Sequence, residues 1–340
     1  MIALVQVALS VVLCASTILV LFPLMRRYAL ARPNARSSHR IPTPQGGGIA
    51  VVLATLATSA GALWAAGAAA DAVQVFAVVA AGTVLLAAVG AVDDIRPLPV
   101  APRLGLQGLA VALVVVAASG TGRVLPAEVP LGIEIALATL AGLWFVNLTN
   151  FMDGLDWLTV AATVPLAAAV VVLGLWGVVG PLETAIGTAL LGAMLGFAPF
   201  NKPAARLFLG DVGSLPIGLL VAFLLYGLAA SGHLVAAIVL PLYSCADATL
   251  TLVRRALRRE RVWQAHRSHF YQRATDNGLT SLEVSGTILV ANVALAALAV
   301  TAVAVEARLG DVLILASAVA VVAGVLMRFS RPRAAARSAR

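Results

Sequence analysis

Eleven long apolar runs constrain this chain more than any other feature: 2–24, 47–69, 72–92, 104–119, 129–146, 159–179, 183–198, 214–230, 233–252, 284–305 and 309–328. About 20 apolar residues in helical form cross the hydrocarbon core of a bilayer. Within that core each backbone N–H and C=O must be satisfied internally, so spanning segments of this length are helices. The fold class expected is therefore all-α: a polytopic integral membrane protein with about eleven transmembrane helices, forming one membrane domain over 1–340. The composition agrees, with 61% hydrophobic and 11% charged residues. A soluble domain carries roughly 25% charged residues, so soluble domains, disorder and a disulfide-stapled secreted fold are all excluded. Cys14 and Cys245 lie inside apolar runs and read as small buried thiols. The first run lacks a basic start, is long enough to span, and is followed by Arg26 and Arg27, so it reads as a span and not as a cleavable signal.

The net charge of +8 would suggest a nucleic-acid partner in a soluble protein. Sorted by connection it says something else. The connections 25–46, 93–103, 147–158, 199–213 and 253–283, with the end of the chain from Arg328 onward, hold 21 of the 23 Lys and Arg residues. The alternate connections hold only Arg123 and Arg308. Positive loops stay on the cytoplasmic side, so the N-terminus is expected outside and the C-terminus inside. The 329–340 segment becomes a basic cytoplasmic tail, and no nucleic acid is called for.

Five polar loops fall on the basic side. Residues 36–48 read RSSHRIPTPQGGG, a stiff loop whose glycines allow close backbone approach to a ligand, or a basic loop touching anionic headgroups. Asp93 and Asp94 end an apolar run and read either as solvated end residues or as a metal-proximal carboxylate with a base. Asn147, Asn150, Asp153 and Asp156 are each three apart, a ladder expected along one helix face. Such oxygen donors suit Mg²⁺, which takes few protein ligands and several phosphate or water oxygens. In FLGDVGS, Gly210 and Gly213 flank Asp211 beside Ser214 at the entry of a span, a natural place for phosphate and its metal.

The longest basic connection carries His266, Arg267 and His269 with Trp263 and Phe270. It reads as an amphipathic helix on anionic lipid, or as a set of phosphate clamps. Thr280 and Glu283 form an expected capping box. Asp247 lies inside the ninth run, where a charge is costly; a structural or supporting role is expected, with an Arg of the next loop as partner.

In this order and on one face, these motifs resemble the polyprenyl-phosphate N-acetylhexosamine-1-phosphate transferases, glycosyltransferase family 4, over about 36–273. The resemblance implies transfer of a sugar 1-phosphate from a UDP-amino sugar to polyprenyl phosphate, with release of UMP. It implies Mg²⁺, with Mn²⁺ as the alternative, held by Asn150 and Asp211. It implies catalytic roles for Asp93, Asp94, Asp153 and His266. Substrate contacts fall to Arg103, Gly154, Asp156, Phe208, Arg267 and His269, with Phe208 stacking on uracil. Asp93 is the candidate for orienting or deprotonating the lipid phosphate; a one-step attack and an aspartyl-phosphate route both stay open.

Two departures bear on substrate. Trp157 stands where many relatives have a small residue, and HRSH replaces the triple histidine of the peptidoglycan enzyme. The likeness is then closer to bacterial enzymes that start O-antigen or similar glycans, with phospho-MurNAc-pentapeptide transfer as the alternative. The partners expected are a UDP-N-acetylhexosamine, polyprenyl phosphate and anionic lipid, with a homodimer left open. The location is the inner (plasma) membrane. A transporter is the competing class, but it predicts mid-span acids and internal repeats; Asp247 alone answers that description. A CDP-alcohol phosphotransferase fails on Leu155-Asp156-Trp157 after Asp153-Gly154.

Overall fold

The computed structural model describes residues 2–31, 42–261, 266–305 and 308–333. The expected stretch 36–41, with His39, lies outside the described residues, as do Trp263 and 334–340 of the basic tail. Helices dominate: α1 Ile2–Tyr28, α2 Gly48–Ala65, α3 Ala70–Ile95, α4 Val100–Ser119, α5 Leu131–Phe151, α6 Leu158–Leu175, α7 Pro181–Asn201 and α8 Asp211–Ala230. They continue with α9 Leu234–Val239, α10 Leu242–Leu257, α11 Phe270–Asp276, α12 Ser281–Ala304 and α13 Arg308–Ser330. A two-stranded ribbon, β1 Leu30–Ala31 against β2 Thr43–Pro44, is antiparallel.

Ten of these helices are long and apolar enough to cross a membrane. The expected span 233–252 is the exception, because it is broken into α9 and α10. Pro241 lacks an amide hydrogen and its ring opposes the carbonyl four residues back, so the helix stops at Val239 and restarts at Leu242. The two pieces still carry the chain from one end of the bundle to the other. α8 runs away from the end where Asp211 lies, and α10 returns to that end, because the amides of Phe270 and Tyr271 bond to Asp247 and the Tyr271 hydroxyl reaches the Phe151 carbonyl.

The described parts of the expected polar connections therefore meet at one end. The ribbon following α1 pairs there with the 207–209 segment, and Asn277 reaches the Phe329 carbonyl at the end of α13. α8 is the central helix: 78% of its span is buried, against 17% for α1. A helix apolar on all sides belongs in the middle of a bundle. α8 packs on α2, α3, α5 and α7.

The closest approaches are made by glycine. A Cβ on Gly48 would collide with the backbone of Gly213, and one on Gly90 with the backbone of Asp211. Within the glycine run 46–48, Gly48 packs against the Gly213 backbone, while Gly47 faces the Phe197 and Leu207 side chains and Gly46 the Met25 side chain. Gly47 and Gly48 donate their amides to the Phe208 and Leu209 carbonyls. The Thr280–Glu283 capping box is formed as expected. Cys14 is buried and Cys245 half-buried, both free thiols.

Candidate active site

The site assembles where α3, α5 and α8 end on the common face. Asp94, near the end of α3, accepts the backbone amides of Asp211 (3.0 Å) and Val212 (3.1 Å). A carboxylate here satisfies two otherwise orphan donors at the positive end of α8. Asp93 points elsewhere, accepting from the Leu98 amide (2.6 Å) and Arg103 Nη1 (2.7 Å). The neighbouring acids diverge, as helix geometry requires. Asn150, in the last turn of α5, donates Nδ2 to Asp211 Oδ1 (2.7 Å) and to Ser214 Oγ (3.0 Å). It thereby orients the Asp211 carboxylate and presents its nitrogen, not its oxygen, to that group.

The four-residue ladder does not form. α5 ends at Phe151, so Asp153 and Asp156 leave the helix face. Asn147 is buried beneath, donating to Gln107 Oε1 and the Leu143 carbonyl. Asp153 accepts from the Thr159 hydroxyl at 2.5 Å. Burial pushes its carboxyl well above the ordinary 3.8, and the charges of Asp211 and Asp94 push the same way. Asp156 accepts the Ala205 amide, and its carbonyl takes the Ser285 hydroxyl.

Gly154 has a structural reason as well as the expected contact with substrate. The Tyr271 hydroxyl occupies the place its side chain would fill. Trp157 sits at φ 64° and gives its indole N–H to the Ala198 carbonyl, packing on α7. Glycine adopts this left-handed conformation without the steric cost that a large side chain such as Trp157 carries.

These groups surround a cavity of about 1000 Å³ lined by Asp94, Asp153, Gly154, Asp156, Phe208 and Asp211. Phe208 is held in place by a bridge to Gln45. Arg103, His266, Arg267 and His269 are not among its lining residues. Arg103 pairs with Asp93; Arg267 bonds the Thr275 hydroxyl and pairs with Asp276 at 3.2 Å. His266 is half-buried beside the Ser268 hydroxyl, its basicity lowered to about 4 by burial and then by the charges of His269 and Arg255. It is therefore neutral near pH 7. His269 is buried, and its Nδ1 lies 3.2 Å from Asp247, so the partner of Asp247 is a histidine and not the expected arginine. α10 extends to Leu257 and α11 opens at Phe270, whose ring lies under Arg254 and Arg273.

The sequence reading missed Arg26, Arg206, Gln45 and Gln272, which also line the cavity. Arg26 looked like a stop signal and Arg206 like one more basic loop residue. Only the pairing of the β1–β2 ribbon with the 207–209 segment brings them together. Among the described residues, no three His, Cys, Asp or Glu side chains are grouped as a metal cage. Mg²⁺ does not require one, since it keeps waters and takes substrate phosphates beside one or two carboxylates. Asp94, Asp153 and Asp211 border one cavity, and carboxylates gathered in this way are an arrangement that a cation relieves.

Residues 76–249 match the family model described as glycosyl transferase family 4, and the chain belongs to that family. The matched segment contains every carboxylate of the cavity but ends before His266. The chain is 28% identical over 228 residues to a decaprenyl-phosphate N-acetylglucosaminephosphotransferase of Mycobacterium leprae, covering 58% of this chain and 54% of the relative. It is 26% identical over 299 residues to a probable undecaprenyl-phosphate N-acetylglucosaminyl 1-phosphate transferase of Bacillus subtilis, covering 81% and 79%. A phospho-N-acetylmuramoyl-pentapeptide-transferase of Mycolicibacterium vanbaalenii is 32% identical over 177 residues, covering 40% and 49%. The chain thus spans about half the length of the mycobacterial relatives it matches.

Proposed function

We propose that this chain transfers an N-acetylhexosamine 1-phosphate from a UDP-sugar to polyprenyl phosphate. One observation carries the reading: Asp94, Asp153, Asp156 and Asp211, from three separate motifs, border one cavity at one end of the bundle. An acceptor phosphate oxygen forms a bond to the sugar-bearing phosphorus, the bond from that phosphorus to the bridging oxygen breaks, and UMP leaves. Mg²⁺, held through Asp211 with Asn150 orienting the carboxylate, would supply charge neutralisation at the pyrophosphate. Phe208 offers a ring to the base, and Asp156 its carboxylate. An acceptor phosphate is already mostly dianionic near pH 7, so orientation and charge compensation, with Arg103 steering Asp93, do more than proton removal.

The basic connections support a reading in which this end faces the cytoplasm at the inner membrane, with the N-terminus outside and the C-terminus inside. The product would start a cell-envelope glycan such as an O-antigen. The pentapeptide-transferase names among the relatives support a second donor, UDP-MurNAc-pentapeptide. The experiment is UMP release by purified protein with polyprenyl phosphate, with and without Mg²⁺, across UDP-N-acetylhexosamines and UDP-MurNAc-pentapeptide. Activity with an N-acetylhexosamine donor is expected; silence with the whole panel would end the proposal.

A further inference from the structure

Asp247 is fully buried in α10, yet it does not line the active-site cavity and belongs to none of the motifs that do. Its oxygens are nevertheless saturated. Oδ1 accepts from the Phe270 amide (3.0 Å), faces His269 Nδ1 (3.2 Å) and lies 3.5 Å from the Thr251 hydroxyl. Oδ2 accepts from the Tyr271 amide (3.1 Å) and the Tyr243 hydroxyl (3.0 Å). A carboxylate only accepts, so His269 presents Nδ1–H to it. The His269 ring stacks on Tyr271 and lies 4.8 Å, centroid to centroid, from that of His266.

The chain of contacts continues toward the cavity. The Tyr271 hydroxyl donates to the Phe151 carbonyl and fills the space beside Gly154. Gln272, bonded to the His269 amide, is itself on the cavity wall. Two loops distant in sequence, 151–156 and 266–272, thus take their relative position from one carboxylate on the broken helix.

We infer that Asp247 is a positioning residue for the reaction: through His269 and Tyr271 it holds the donor-facing loop 153–156 in register with the histidine loop. This rests on the transferase reading above. The discriminating variant is Asp247→Asn, which keeps the shape. Whichever way the carboxamide turns, its NH₂ group opposes one of the two backbone amides. Tyr271→Phe is the companion variant, removing only the link to Phe151.

The full chain in detergent is followed by peptide hydrogen exchange and by UMP-release kinetics with UDP-N-acetylglucosamine and undecaprenyl phosphate. Asp247→Asn is expected to speed exchange in 266–272 about 10–100-fold, the loss of one hydrogen bond to a charged acceptor. Peptides of α6–α8 should exchange as in the wild type. kcat should fall by up to about 100-fold, and KM should rise for the nucleotide sugar but not for the lipid phosphate. Tyr271→Phe should show the donor-side effect more weakly, with faster exchange confined to 151–158. Unchanged exchange in 266–272 overturns the inference. So does a uniform loss of protection with both KM values kept, which is the mark of a purely structural residue. A wild type that releases no UMP with any donor sinks the transferase reading instead, and the exchange data then decide alone whether Asp247 anchors the two loops.

Discussion

The two ends of the bundle both hold acidic groups, and they treat them differently. At the end away from the site, Glu134 is buried and fully engaged. It takes Arg123 Nε (2.9 Å), the Val124 amide (2.7 Å) and the Tyr226 hydroxyl (3.1 Å). Those bonds fasten the 120–130 connection to α5 and α8. At the site end, among the described residues, the Asp211 carboxylate takes Asn150 and the Asp153 carboxylate takes Thr159. A carboxylate whose lone pairs are all used stabilises the fold, whereas one left short of donors is available to a ligand. On that contrast Asp211 and Asp153 are the acids open to a ligand, whereas Asp93 and Asp94, with two donors each, are held more like Glu134.

The contrast can be broken by mutation. The largest effect is expected from Asp211→Ala: UMP release should fall about 1000-fold or more, on the scale of losing a principal electrostatic group, while the protein still melts cooperatively. Full turnover in that variant would remove Asp211 from the site. Gly90→Ala should come next, because a methyl group there meets the Asp211 backbone. Overpacking of this kind costs about 1–3 kcal/mol, and both melting temperature and activity should drop; a variant with unaltered activity would mean that α3 can shift freely.

Glu134→Gln should lower stability by about 1–3 kcal/mol, since it leaves Arg123 without its charged partner in a partly buried place, yet kcat should stay within a factor of two. A collapse of kcat at unchanged stability would erase the distinction between the two ends.

The pH dependence tests Asp153. Its folded carboxyl is raised above the ordinary 3.8, so the folded state holds the proton more tightly than the unfolded chain. The favourable contribution is full below that ordinary value and is lost as pH rises toward the folded value. In cation-free buffer, thermal stability should therefore decline over that window, and Asp153→Asn should flatten the slope. An identical slope in the variant would assign it to other acids. The smallest effect is expected from Arg333→Ala. Its ion pair with Glu283 is solvent-screened at the surface and contributes little, so a melting shift of more than a few degrees would require another contact.

Much of the fold was legible because apolar length is a physical requirement and every polar loop had to lie at a span end. The break at Pro241 was legible too in principle, from the missing amide, but the surrounding apolar run masked it. What the sequence could not convey was which helices touch. The i, i+3 spacing of Asn147, Asn150, Asp153 and Asp156 described a face that ends at Phe151. Gly46–Gly48 promised close approach without saying to what, and Asp247 showed a buried charge without its histidine. The cavity acids were visible as motifs, while Arg26 and Arg206 needed the ribbon to bring them there. The roles of Asp93, Arg103, His266 and Arg267 still rest on the resemblance, since their side chains engage protein groups beside the cavity.

The glycine contacts among α2, α3 and α8 have one more consequence. With Gly48 against Gly213 and Gly90 against Asp211, main chain is pressed on main chain beneath the carboxylates, and the cavity opens away from those contacts. A reaction there is one-sided. On the proposed function, a glycolipid made in this cavity is released on the side from which its nucleotide donor arrived.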